Sequence, residues 1–172
     1  MWTLEMAVVS FLILMCVALS SPTAGLRPNR PSLEPSELDP LDILPCWPGW
    51  THSDDRCYKL FKTPKTWPKA MADCTLRGSN LTSVRNSDDL FAVQSVMGLL
   101  VRKGVWIGGT DAVIEGQWWW SDGEPFSWTF WSPGQPDNLG EEDCMSVGIG
   151  GLAYDEKCNK NLPYVCSKQL QI

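Results

Sequence analysis

Six cysteines on one stretch, Cys46, Cys57, Cys74, Cys144, Cys158 and Cys166, constrain this chain more than any other feature. No two stand at the close C-x-x-C spacing that zinc sites use, which argues against a structural metal cluster. An even set supports three disulfides, with the pairing open on spacing alone. The seventh cysteine, Cys16, lies inside an apolar run from Ala7 to Leu19. That run has the length of a signal-peptide core and falls short of a membrane span. Small residues follow it, so residues 1–20 read as a signal peptide, with cleavage after Gly25 as a later alternative. An uncleaved anchor is the competing reading. Removal takes Cys16 away and implies a secreted, extracellular product, where the remaining thiols oxidise.

Residues 26–45 carry Pro28, Pro31, Pro35, Pro40 and Pro45 among Glu34, Glu37, Asp39 and Asp42. Prolines at that spacing block helix and sheet ladders, so the segment reads as a Pro-rich acidic linker or propeptide. A compact domain is expected over 46–168. Its first helix is expected to start at Thr66, accept Pro68 in its first turn and stop at Gly78. A second starts at Ser87 with Asp88 and Asp89, and Leu90, Val93, Met97 and Leu100 form its apolar stripe. Beyond Gly104 short apolar runs alternate with Gly, Pro, Asn and Asp. Val105–Gly109 and Gln117–Trp120 read as strands. The expected class is α+β.

Twenty acidic residues against fourteen basic ones give a net charge of −6, which argues against a nucleic-acid footprint. A single histidine, His52, has no readable partner, and no nucleophile–base pair is visible, so an enzyme is the least supported class. Hard oxygen donors concentrate instead at Gln135, Asp137, Asn138, Glu141, Glu142 and Asp143, with Asp155 and Glu156 further on. Such a set suits Ca²⁺, whereas a solvated acidic loop is the bland alternative. Trp118 and Trp120 fall on one strand face and Trp119 on the other. Packing is the favoured role for Trp119, Trp128 and Phe130, with sugar stacking as the alternative. Asn80-Leu81-Thr82 is an N-glycosylation sequon.

Several motifs then carry a resemblance. Cys46-x-x-Gly49-Trp50, Cys57-Tyr58 and Trp106-Ile107-Gly108 are among them, as is Glu115-Gly116-x-Trp118-x-Trp120-Ser121-Asp122-Gly123. So are Trp131-x-Pro133-Gly134-Gln135-Pro136-Asp137, Glu142-Asp143-Cys144 and Cys158…Pro163-x-Val165-Cys166. In order across 46–168 they resemble the C-type lectin domain family, and most closely the secreted single-domain lectins of fish. The resemblance implies the long form of that fold: two helices, two small antiparallel sheets and a long calcium-binding loop. It also implies the pairings Cys46–Cys57, Cys74–Cys166 and Cys144–Cys158.

In that family a Ca²⁺ ion is itself the sugar receptor, completed by two adjacent hydroxyls. The motif positions fall on Gln135, Asp137, Glu142, Tyr154 and Asp155, with a cis Gln135–Pro136 bond expected. Gln-Pro-Asp resembles the galactose-binding members. A second ion position falls on Asp111, Glu115, Asn138, Glu142 and Asp143. Two departures stand out: Ala153-Tyr154-Asp155 replaces the family's Trp-Asn-Asp, so Tyr154 takes the place of an Asn ligand. No aromatic residue follows Gln-Pro-Asp, where galactose binders often carry one. The leading expectation is a secreted, calcium-dependent lectin for galactose-type or microbial glycans, acting in innate recognition. The alternative is a calcium-independent member of the fold that binds protein or ice.

Overall fold

The computed structural model describes residues 46–98 and 103–170. The chain divides into Met1–Asp39 and Pro40–Ile172, and every described residue belongs to the second unit. The expected signal peptide, the linker and Leu100 lie outside the described residues.

A hairpin of β1 (Thr51–Ser53) and β2 (Arg56–Lys65) leads into α1 (Trp67–Leu76). Thr66 precedes α1 in an extended conformation and Pro68 sits in its first turn, where the missing N–H costs no helical bond. Trp67, Ala70 and Cys74 form its buried stripe. Short β3 (Asn80–Leu81) is followed by α2 (Ser87–Met97). The helix starts at Ser87, as expected, and Asn86 is its cap, with Oδ1 accepting the Asp88 and Asp89 amides at 2.9 Å each. Ser87 is already helical, so the carbonyl one residue earlier reaches the free amides. Val93 and Met97 are buried and Leu90 packs beside them, as the apolar stripe requires.

The second half contributes β4 (Val105–Thr110), β5 (Trp119–Trp120), β6 (Cys144–Val147), β7 (Ala153–Glu156) and β8 (Leu162–Gln169). The path β1-β2-β8-β4-β6-β7 is antiparallel at every junction but one, with β3 added to β8 and β5 to β4. The exception is a single parallel pair, Trp106 opposite Tyr164, which joins two antiparallel halves into one mixed sheet. The strand expected over Gln117–Trp120 is paired only at Trp119 and Trp120.

All of β4 is buried, because one core packs on each face of the sheet. Gly108 is required there: a Cβ would stand 2.6 Å from the Leu81 carbonyl oxygen. Two tryptophans tie elements together through their polar tips. Trp67 Nε1 donates to the Ile107 carbonyl at 2.8 Å and Trp106 Nε1 to the Lys65 carbonyl at 2.9 Å. Trp120 is buried, while Trp118, Trp128 and Phe130 pack half-buried against the same core. The disulfides are Cys46–Cys57, Cys74–Cys166 and Cys144–Cys158. The second ties α1 to β8, and the third pins the chain after β7 to the start of β6.

Candidate metal centre

The chain between β5 and β6 is irregular and rich in turns, which frees its backbone and side chains to face one place. The Gln135–Pro136 bond is cis. The residues flanking it meet, with Gln135 Nε2 donating to Asp137 Oδ2 at 2.8 Å. Gln135 Oε1 accepts the Asp155 amide at 3.3 Å, bringing the loop onto β7. Asn138, in the left-handed region at φ 46°, donates its amide to Asp155 Oδ2 at 2.6 Å. Its Oδ1 accepts the Glu142 amide at 2.8 Å, folding the loop back on itself.

This path gathers the Asp137, Glu142 and Asp155 carboxylates, with one oxygen from each within 4.8 Å of the others. Asp155 is 3% exposed, and its Oδ1 meets no hydrogen-bond partner. A buried carboxylate oxygen without a donor is costly, and hard cations are the ligands that such oxygens satisfy. Burial pushes the Glu142 carboxyl up from its ordinary range, and the charges of Asp155, Glu156 and Asp137 push the same way.

A second group adjoins the first. Asp111, Glu115 and Asp143 bring one carboxylate oxygen each within 4.8 Å of the others. Asp111 is 2% exposed; its Oδ2 accepts the Gly116 amide at 2.9 Å and its Oδ1 has no partner. Burial raises the Asp111 pKa, with Asp143 and Asp155 adding repulsion. Glu115 is raised too, by desolvation and then by Asp111, Asp143 and Asp155, while a hydrogen bond with the Asn138 side chain opposes the shift. Asn138 therefore touches both groups. Across the described residues, the two sites hold the only side-chain carboxylate oxygens that are buried and unpaired. The donor sets and these orphaned oxygens fit divalent, oxygen-seeking ions.

Thr110 is a participant that sequence reasoning missed. Its Oγ1 donates to the Asp143 carbonyl at 2.7 Å, and the Asp111 amide reaches the same carbonyl at 3.2 Å. The end of β4 thus holds the long loop through its backbone, and only the position of Thr110 beside Asp111 hinted at it. On β7 Ala153 and Asp155 are buried while Tyr154 is 37% exposed. Its ring lies over Gly148, where a Cβ would come within 2.9 Å of it. There it lines a depression with Lys103, Ser146, Ile149 and Glu156. Asn80 is exposed on β3 and belongs to neither group.

The family model for the Lectin C-type domain matches residues 63–168. The galactose-specific lectin nattectin of Thalassophryne nattereri is 34% identical over 129 residues, covering 73% of this chain and 81% of that protein. Among solved structures, the mouse scavenger receptor C-type lectin carbohydrate-recognition domain aligns with a TM-score of 0.69 at 28% identity. It covers 74% of this chain and 98% of that one. A calcium-independent type II antifreeze protein aligns with a TM-score of 0.67 at 28% identity, covering 73% of this chain and 95% of that one.

Proposed function

The chain belongs to the C-type lectin domain family, and we propose that it is a secreted, calcium-dependent lectin with a galactose-type preference. One observation carries the reading: the Asp137, Glu142 and Asp155 carboxylates converge, and Asp155 Oδ1 is buried with no hydrogen-bond partner. Gln135, Asp137, Glu142 and Asp155 would hold the ion. Bound there, Ca²⁺ supplies coordination positions for two adjacent hydroxyls of a sugar. The chain's part is orientation: the Asn138 amide fixes the Asp155 carboxylate, and the Leu139 amide fixes Asp137 Oδ1 at 3.1 Å. Asp111, Glu115, Asn138 and Asp143 would take a second ion that orders the loop.

The order amide–Pro–acid at Gln135-Pro136-Asp137 supports galactose over mannose, as does the similarity to a galactose-specific lectin. Microbial glycans are the target class we favour, in innate recognition. We read 1–20 as signal peptide, 26–45 as linker or propeptide and Asn80 as a glycan acceptor, with a lectin domain over 46–168. The second reading, a calcium-independent binder of protein or ice, is favoured by Tyr154 in place of an Asn ligand and by the antifreeze structure.

Calorimetric titration of Ca²⁺ into the chelator-treated chain tests the proposal. A dissociation constant of about 10⁻⁴–10⁻³ M is expected, tightening when galactose is present, because linkage is reciprocal. No calcium binding, or binding that galactose does not change, would favour the second reading.

A further inference from the structure

The carboxylates stand toward the β6–β7 end of the sheet path, whereas cations and aromatic rings alternate at the β1–β2–β8 end. Lys168 Nζ lies 3.1 Å from the Trp47 ring centroid and 4.9 Å from that of Trp50. Lys59 Nζ lies 5.9 Å from Trp50 and 5.7 Å from Phe61, and the Arg77 guanidinium lies 4.5 Å from Phe61. Trp50 and Phe61 meet edge to face at 6.3 Å. The series Trp47, Lys168, Trp50, Lys59, Phe61, Arg77 is therefore continuous. Strand periodicity builds it: Lys59 and Phe61 share one face of β2, and the register places Cys166 and Tyr164 opposite them, so Lys168 falls on that face of β8.

Two features exceed what packing needs. Trp47 is 64% exposed, although tryptophan is usually among the better-covered residues. Among the described residues, neither Lys59 nor Lys168 forms an ion pair, while Lys65 and Arg77 share Asp73 and Arg85 has Asp55 and Asp89. In a chain with 20 acids, two lysines set on rings rather than on carboxylates leave a local positive stretch. Burial lowers the pKa of Lys168, so its ammonium has lost some hydration that an anion would replace.

We propose that this strip is a second, calcium-independent glycan site for a sulfated polysaccharide, with Lys59 and Lys168 on the sulfates and Trp47 and Trp50 on the sugar faces. Such a polymer alternates flat apolar ring faces with fixed negative charges, which is the pattern of the strip. A neutral glycan would leave the cations without anions. An acidic peptide would offer the rings no sugar face to stack on.

Heparin is the probe, used with the whole secreted chain in chelator, so the result does not depend on the calcium reading. We expect retention on immobilised heparin at low salt, release as salt rises, and weak binding to polyglutamate. The double variant Lys59→Gln, Lys168→Gln should lose about tenfold in affinity, Trp47→Ala should lose affinity, and Lys168→Arg should retain it. Circular dichroism checks the fold of each, and if the double variant misfolds, Trp47→Ala and Lys168→Arg decide. Failure of the unaltered chain to bind heparin at low salt would overturn the proposal. So would undiminished binding by the folded double variant or by Trp47→Ala, or equal affinity for heparin and polyglutamate.

Discussion

Asp155 and Asp111 each keep a carboxylate oxygen from both water and donors, an arrangement that is costly unless a cation answers it. Asp155→Asn should therefore act with opposite signs on stability and binding. In chelator the neutral side chain relieves a buried charge, and the urea midpoint should rise by the equivalent of about 1 kcal/mol. Calcium-dependent sugar binding should vanish in the same variant, as it should in Asp137→Ala, read by calorimetry. Tyr154 tests the other side of the donor set. Its ring is occupied over Gly148, and Tyr154→Asn offers a carboxamide oxygen where a phenol stands. Calcium-dependent galactose binding should strengthen about tenfold; a loss would assign the ring itself to the sugar. The carboxylates were legible in the sequence because acids clustered at Asp137, Glu142 and Asp155 are conspicuous. Thr110 was not, since a hydroxyl that holds a backbone carbonyl leaves no distinctive pattern.

Among the elements, α2 illustrates how local chemistry is tied to the core. Asn86 caps the helix, and Asp89 in its first turn is reached by Arg85 Nε at 2.7 Å and by the Tyr58 hydroxyl at 2.7 Å. Burial alone would raise the Asp89 pKa, but the Arg85 side chain and amide and the Tyr58 hydroxyl outweigh it and hold the carboxyl below its usual range. A carboxyl with a lowered folded-state pKa contributes stability above its unfolded pKa and loses it as pH falls through the folded one. Asp89→Asn should thus cost about 3 kcal/mol at neutral pH. The deficit should shrink as pH falls below the ordinary carboxylate pKa, measured by urea unfolding across a pH series. The helix was readable from Leu90, Val93 and Met97 and its start from Ser87, whereas Asn86 was not singled out as the cap because Ser87 and Asn86 both suit that role. The strand near Gln117 was overextended for a related reason: apolar alternation marks residues that pack, and only Trp119 and Trp120 also find a ladder partner.

For the molecule as a whole, the Cys74–Cys166 bridge joins α1 to the strand that touches both halves of the sheet. It closes 92 residues of chain, so replacing both cysteines by serine should cost about 4–5 kcal/mol in urea unfolding. The cysteines and the motifs between them made this architecture legible from sequence. The parallel pair Trp106–Tyr164 was not, because strands far apart in sequence carry no local mark of which neighbour they choose. The proposed calcium-dependent sugar recognition at Asp137, Glu142 and Asp155 is tested most directly by retention of the chain on immobilised galactose. In millimolar calcium the chain should bind, and a chelator or free galactose should release it. Retention that persists in chelator, or no retention with calcium present, would contradict that function.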